Sequence, residues 1–297
     1  MFDFRYHVAS LAAVFFALVI GILVGVALAS HGLGKAERKR LERALDRAER
    51  RGDDLQEQLV AQQDENRADG DFVKSAYHAV MSDRLRGMRV AVLFVGKVDA
   101  GLLRSVNQTL DDAGAPTTRR LRALKVPIDV SALARTLRSR KRLAAYAGGG
   151  NVEALARELA DEFVVGGDTP VWDALEDQLV EEKRGRLRPP ADAVVTVRTA
   201  PPQRGATARF LDALYDELGD RPTPVVGVEA TQTRPSAVPA YRRHSLSSVD
   251  NVDQPPGRVA LAVLLTGATR GSYGTKATAT DGIVPEVTPL PAPTTGG

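Results

Sequence analysis

The sequence predicts an α/β protein in which a transmembrane helix and a coiled coil precede a Rossmann-like, mostly parallel α/β domain. Three observations lead to this fold class: an unbroken apolar run near the start, a stripe of leucines at heptad spacing, and a later alternation of apolar runs with amphipathic stretches. We divide the chain into an anchor or uncleaved signal at residues 1–33, a coiled-coil helix at 34–86, an α/β domain at 87–283 and a disordered tail at 284–297.

Composition limits the classes of protein that fit. Among 297 residues, 40 are Lys or Arg and 37 are Asp or Glu, so the net charge is +3 and we expect no nucleic-acid partner. Cysteine is absent, which excludes disulfides, thiolate metal sites and cysteine nucleophiles but fits either side of a membrane. The four histidines stand far apart in sequence, so their spacing indicates no metal site and any metal ligands stay unknown.

The apolar run covers residues 8–29 and contains one polar side chain, Ser10. It has the length of about 20 residues that a helix needs to cross a bilayer. A cleaved signal peptide is the alternative, because the Ala-Leu-Ala at residues 27–29 has the small residues of a signal-peptidase site. The run exceeds the usual apolar region of a signal peptide, about 7 to 15 residues, so we favour a retained, single-pass anchor.

Small residues line one face of this segment. Gly21 and Gly25 form a GxxxG pattern, which Ala17 and Ala29 extend at the same spacing. Such a face lets two helices approach closely in lipid, although glycine and alanine are also simply common in transmembrane helices. The pattern therefore predicts a helix dimer only in combination with the segment that follows.

That segment has the 4-3 spacing of a coiled coil from residue 41 to residue 66. Asn66 falls at an a position, where a polar side chain can set register and oligomeric state, whereas Gly52 leaves a hole in the stripe. The alternative is a single helix packed on its own domain. Our hypothesis is a parallel homodimer with a contact face made of Gly21, Gly25, Leu41, Leu45, Leu55, Leu59 and Asn66.

The direction of membrane insertion stays open at this point. A cluster of Lys and Arg residues between positions 35 and 47 follows the anchor, whereas Arg5 is nearly alone before it. The positive-inside rule would place the domain in the cytoplasm. The same charges also suit the solvated faces of a coiled coil or contact with anionic lipid.

The α/β domain is predicted from strands that alternate with helices, which implies a mostly parallel sheet covered on both faces. We predict strands at 89–95, 193–197 and 224–228 and helices at 100–113, 130–143, 152–164, 171–183 and 206–218. Residues 257–265 form a helix or a last strand. The tail after Ile283 is rich in Pro, Thr and Gly, and we expect it to be disordered.

No pattern predicts an active site. The glycine clusters at 148–150 and 166–167 do not join a strand to a helix as phosphate-binding loops do, so we interpret both as turns. Lys97 follows the first strand, where α/β folds often bind ligands, but a lone loop lysine is usually solvated. Motifs such as GxSxG and HExxH are absent from the sequence. We expect no enzymatic activity and no evident cofactor.

Two smaller groups allow a binding interpretation. Tyr77, His78 and Met81 lie on one predicted helix, and packing explains them more readily than metal ligation. Arg234 and Arg242 to His244 form a basic spot that suits an acidic partner, with a solvated helix end as the alternative.

Several blocks of sequence carry a family resemblance. The opening HVASLAAVF at residues 7–15, with Gly21 and Gly25, is similar to the start of the actinobacterial copper transporter family typified by mycobacterial copper transport protein B (MctB). RPSAV at 234–238, SVDNVD at 248–253, PGR at 256–258 and YGT at 273–275 resemble the C-terminal blocks of that family, in the same order. These blocks are family markers and include no known catalytic signature.

The resemblance implies an envelope location and a role in copper transport and homeostasis that keeps intracellular copper low. Copper itself is implied by the resemblance only, because no copper-binding residue can be carried over. Some relatives are linked instead to daughter-cell separation, so the alternative is a non-enzymatic coiled-coil scaffold or regulator of cell-wall remodelling, with an envelope or division partner. The resemblance also favours a domain outside the cytoplasm, against the basic flank.

Overall fold

The chain begins with two helices. The computed structural model describes residues 4–29, 35–116, 120–148, 151–267 and 269–288. Helix α1 is Phe4–Ala29 and helix α2 is Lys35–Met81. Within α1, Ser10–Ala27 is long and apolar enough to cross a membrane, and none of it is buried. The chain separates into two compact units between Asp69 and Gly70, so the last turns of α2 belong to the second unit.

The second unit is built on one sheet, whose strands in the described residues are β1 Val90–Val95, β2 Arg120–Leu124, β3 Val180–Arg184, β4 Ala193–Arg198, β5 Val225–Val228, β6 Ser247–Val249 and β7 Ser272–Tyr273. Their order across the sheet is β3-β2-β1-β4-β5-β6-β7. Neighbouring strands are parallel except β2 and β3, which are antiparallel. The prediction of an α/β domain with a mostly parallel sheet is confirmed.

Helices connect these strands: α3 Ala100–Asp112, α4 Val130–Arg138, α5 Val152–Val165, α6 Pro170–Leu179, α7 Gly205–Gly219, α8 Val238–Arg243 and α9 Pro255–Leu265, with a short 3-10 helix at Ala144–Ala147. Aspartates define two of the helix starts, because their side chains accept a hydrogen bond from an otherwise unpaired N–H of the first turn. Asp99 accepts from Leu102 N at 2.7 Å in α3, and Asp129 accepts from Ala132 N at 2.9 Å in α4.

Two predicted helices were wrong at their C-terminal ends. The helix predicted at 130–143 ends at Arg138, and the one predicted at 171–183 ends at Leu179. Residues 180–184 are strand β3 instead, since Leu121 of β2 pairs with Arg184 and Ala123 pairs with Glu182. Tertiary pairing at the sheet edge overrides the helical tendency of this charged segment.

The core lies in two clusters, one on each face of the sheet. In β1, Ala91, Leu93 and Val95 point to one cluster, and Val90, Val92 and Phe94 point to the other, as the two-residue period of a strand requires. Helices α4 to α7 cover the first face. Helices α3 and α9, with the end of α2, cover the second.

The end of α2 is part of the domain core. Tyr77, Met81 and Leu85 are buried, and the Tyr77 hydroxyl donates a hydrogen bond of 2.6 Å to Asp112. Burial, and then this hydrogen bond, raises the pKa of Tyr77. His78 is exposed, so the predicted Tyr77, His78 and Met81 group is divided between core and surface.

The C-terminal end of the described residues contacts the segment that follows α2. The Arg84 guanidinium donates to the carbonyl of Thr288 at 3.3 Å, and Pro285 is buried. The remainder of the predicted disordered tail, residues 289–297, lies outside the described residues.

Candidate functional site

The crevice between β1 and β4 is the place where ligands bind in open α/β sheets, because strand order reverses there. Here two loops close it. Gly96 has a φ of 106°, and a Cβ at this position would collide with Thr199 and Ala200. The Thr199 hydroxyl also donates to the carbonyl of Lys97 at 2.7 Å. The Lys97 side chain itself is 86% exposed and lies 3.9 Å from Glu181, as expected of a solvated loop lysine.

The carboxyl ends of β5, β6 and β7 hold a buried ion pair instead. Glu229 follows β5 and is 1% exposed, and its Oε1 accepts a hydrogen bond of 2.6 Å from Lys276 Nζ. Ser236 Oγ and the backbone N–H of Ala237 also donate to this carboxylate, at 2.8 and 2.5 Å. Lys276 Nζ donates to two backbone carbonyls as well. Each ionic group therefore has three hydrogen-bond partners within the chain.

Asp250, which follows β6, is the second buried carboxylate at this edge. Its two oxygens accept from the backbone N–H groups of Thr275 and Lys276 at 2.8 and 2.9 Å. Gly274 has a φ of 146°, and any side chain there would collide with Asp250. This close approach explains why YGT at 273–275 contains glycine.

Asp253 lies in the same loop as Asp250, between β6 and α9. It accepts from the backbone N–H and the hydroxyl of Thr231, at 2.7 and 3.0 Å. Burial acts to raise the pKa of Asp253, but these hydrogen bonds, with smaller ones, outweigh it and hold the pKa below its usual value. The neighbouring Asn251 is 1% exposed, and its side-chain amide has no hydrogen-bond partner in the described part of the chain.

The sequence blocks that carry the family resemblance thus meet in space. RPSAV, SVDNVD and YGT contribute partners to the same cluster of Glu229, Asp250 and Lys276. Sequence reasoning missed these three residues. One signal was available for Glu229, because it directly follows the apolar segment VVGV and residues at the carboxyl ends of parallel strands converge, whereas Asp250 follows the serine-rich strand SSV. The arrangement fixes loops to one another.

The residues of the predicted basic spot have different surroundings. The His244 ring has a neighbour on each nitrogen, with Nδ1 2.6 Å from Asp216 and Nε2 3.2 Å from Asp212, both on α7. Arg242 reaches the carbonyl of Thr278, whereas Arg243 is exposed. The acidic neighbours of His244 are therefore within the chain.

No metal centre is evident in the described ranges, which contain no group of three or more His, Asp or Glu side chains placed to hold an ion. The glycine cluster at 166–167 lies at the C-terminal end of α5, where Gly166 has a φ of 68°, and is a turn as predicted. Of the cluster at 148–150, residues 149 and 150 lie outside the described residues.

The predicted dimer face is exposed along its length. A Cβ at Gly21 or Gly25 would meet no atom within 4 Å. The four leucines are 52–61% exposed, and Asn66 is exposed as well. The dimer itself stays a prediction.

Comparison with known proteins gives one family. Residues 1–284 match the family model described as copper transport outer membrane protein, MctB. The chain is also 26% identical to the copper transporter MctB of Mycobacterium tuberculosis, strains H37Rv and CDC 1551, and of Mycobacterium bovis. Each alignment covers 93% of this chain and 96% of the relative. Because the match includes α1, α2 and all strands of the described residues, the chain belongs to the MctB family.

Proposed function

We propose that this chain is a membrane-anchored envelope protein with an MctB-like role in copper transport and homeostasis. The family match over residues 1–284 carries the proposal, because it includes both the apolar helix α1 and the buried cluster of Glu229, Asp250 and Lys276. The description of the family and the names of its relatives both refer to copper transport.

We propose further that the α/β domain contributes without catalysis and without a resident copper ion. Copper(II) would need imidazole or similar ligands, and copper(I) would need thiolate or thioether sulfur. The sequence has no cysteine and three methionines, and the described part has no group of three or more His, Asp or Glu side chains placed to hold an ion. A domain whose buried Glu229, Asp250 and Lys276 are hydrogen-bonded within the chain suits the role of a rigid module that holds or regulates other transport components.

Copper content tests this function. Deletion of the gene should raise cell-associated copper, measured by mass spectrometry, and the full chain should restore it while zinc content stays constant. Unchanged copper content and copper tolerance in the deletion strain would contradict the proposal. A defect confined to daughter-cell separation would favour the scaffold alternative instead.

The helical unit is proposed to form a parallel homodimer. Exposed leucines at heptad spacing support it, since a seam in water needs a partner helix. Because the sequence lacks cysteine, Leu55→Cys introduces a single thiol at a d position, and we expect efficient disulfide crosslinking of the full chain in membranes. The matched control is Glu57→Cys at the f position, which should crosslink poorly. Equal crosslinking at both positions would contradict the dimer.

The domain is proposed to lie outside the cytoplasm, with α1 as a single-pass anchor. The outer-membrane wording of the family description supports an envelope location, and long domains can be translocated despite a basic flank. Fusions after Gly297 test the orientation. An alkaline phosphatase fusion should be active and a cytoplasm-dependent fluorescent protein should be dark, and the opposite pattern would reverse the assignment.

We also propose that the domain is a Rossmann-like variant. The order β3-β2-β1-β4-β5-β6 supports this, because doubly wound dinucleotide-binding folds have the same order. Antiparallel β3 and the closed crevice at Gly96 distinguish it from a nucleotide-binding member. A dinucleotide should therefore leave the thermal unfolding midpoint unchanged.

A further inference from the structure

Four arginines surround a hollow at the amino ends of β1 and β2, on the opposite edge of the sheet from the buried cluster. Its volume is about 570 Å³, and its other lining residues are proline, glycine and valine, with no carboxylate. One of the arginines is neutralised, because Arg89 forms two hydrogen bonds of 2.8 and 2.9 Å with Asp192. The four are Arg89, Arg120, Arg186 and Arg188.

Arg120 supplies a buried positive charge that forms no hydrogen bond or ion pair with a carboxylate of the described residues, although the negative charge of Asp192 lies near enough to act on it. It is 7% exposed, and its guanidinium donates to the carbonyls of Phe163 and Leu187 at 2.8 and 2.7 Å. Burial, and then the positive charges of Arg122 and Arg89, lowers the pKa of Arg120 to about 10. Buried charges are normally paired. An anion near this guanidinium would therefore gain an unusually large attraction.

The loop that carries the other two arginines is held in place. Leu187 is buried, whereas Arg186 and Arg188 on either side of it are exposed. The backbone N–H of Gly167 donates to the carbonyl of Arg188, and that of Ala191 donates to the carbonyl of Val164, both at 2.8 Å. The structure gives the side chains of Arg186 and Arg188 no hydrogen bond or ion pair within the described residues. Two free guanidiniums are thus presented on a fixed backbone.

We propose that this hollow is an anion site that binds a phosphate ester. Guanidinium pairs with phosphate through two parallel hydrogen bonds, and the volume is in the range of small-molecule sites, about 300–1,000 Å³. The proline walls suit the carbon part of an ester better than a bare ion. Guanidinium does not ligate copper, so this site is separate from the copper function. A soluble metabolite and a lipid head group share the required chemistry.

Calorimetric titration of the full chain in neutral detergent micelles tests the site. The probes are inorganic phosphate, glycerol 1-phosphate and soluble dihexanoyl phosphatidic acid, at fixed ionic strength. At least one ester should bind saturably at one site per chain. Tighter binding of glycerol phosphate identifies a soluble ligand, and tighter binding of the short-chain lipid identifies a head group.

Two double variants distinguish binding at a specific site from a general effect of positive charge on affinity. Arg186→Ala with Arg188→Ala should weaken binding by about tenfold or more, as expected from loss of charged hydrogen bonds. The control, Arg138→Ala with Arg140→Ala, removes the same charge at the same spacing from exposed positions near the end of α4 and should leave affinity unchanged. Unaltered fluorescence of Trp172 confirms folding of both. Absence of ester binding, or equal losses in both variants, would overturn the proposal.

Discussion

The two units of this chain differ in whether their apolar side chains are exposed or buried. In the first unit, Leu41, Leu45, Leu55 and Leu59 are each more than half exposed, whereas in the second Leu110 and Leu124 are fully buried. Burying a leucine stabilises a fold by about 1.5–3 kcal/mol. The α/β unit gains this free energy within one chain, but the helical unit requires lipid or a second helix to gain it.

The largest effect is expected from the buried ion pair of the α/β unit. Lys276→Met should lower the free energy of unfolding by about 3–5 kcal/mol, because it leaves the Glu229 carboxylate buried without a cation. Urea unfolding of the full chain in micelles, followed by Trp172 fluorescence, measures it. Trp172 is the one tryptophan in the sequence and is 3% exposed, so it reports on this unit. Lys97→Met is the exposed control, and a loss below about 1 kcal/mol at Lys276 would contradict the reasoning.

A second prediction tests whether the boundary between the two units lies within helix α2. Met81→Ala should cost about 3 kcal/mol in the same unfolding experiment, since Met81 is fully buried at the end of α2. Val60→Ala on the same helix removes a side chain that is half exposed and should leave the unfolding midpoint unchanged. Similar losses at both positions would mean that the boundary is misplaced.

The third prediction concerns pH. Burial raises the pKa of Glu162 to about 7, although its carboxylate accepts hydrogen bonds from the N–H groups of Val171 and Trp172 at 3.0 Å. A raised carboxyl pKa means that the folded state binds more protons, so this contribution to stability is present below pH 4.5 and is lost between about pH 4.5 and 7. Glu162→Gln should therefore stabilise the α/β unit by about 2 kcal/mol at pH 8 and by little at pH 4.5. Destabilisation at pH 8 would show that the hydrogen bonds outweigh burial.

The smallest effect on the fold is expected at the exposed stripe. We consider replacement of Leu41, Leu45, Leu55 and Leu59 by alanine. It should change the free energy of unfolding of the α/β unit, measured by Trp172 fluorescence, by less than about 0.5 kcal/mol. Analytical ultracentrifugation in micelles should show a shift from dimer to monomer, because the seam has lost its apolar contacts. A variant that stays dimeric would show that the leucines are not required and would assign the contact to the rest of the face, such as Gly21 and Gly25.

Apolar strands of this fold could be predicted from sequence, whereas charged ones could not. The strands predicted at 89–95, 193–197 and 224–228 correspond to β1, β4 and β5, which are buried runs of apolar residues. Strand β2 has the sequence RLRAL, and β3 has VEEKR. Arg120 and Arg122 are nonetheless buried, since backbone carbonyls from distant segments accept their hydrogen bonds. No local pattern contains that information.

The candidate site, like the strands, could be predicted only in part from local sequence. The position after the apolar strand β5 could have indicated Glu229, but Asp250 follows the serine-rich β6, and the partners of both carboxylates could not be identified. Lys276 is 47 residues beyond Glu229, and the Asp250 contacts require the turn at Gly274. The family blocks identified the right segments because they mark residues that meet in three dimensions. Their physical roles came from distances and burial.

The pairing of Glu229 with Lys276 also sets an order of events during synthesis. Domains generally fold as their residues emerge from the ribosome, N-terminal parts first. Here the apolar helix and the long helix emerge early, while the carboxylate at position 229 has no counter-charge until residue 276 follows. The α/β unit therefore cannot complete this ion pair until residue 276 has been synthesised, when both N-terminal helices are already complete.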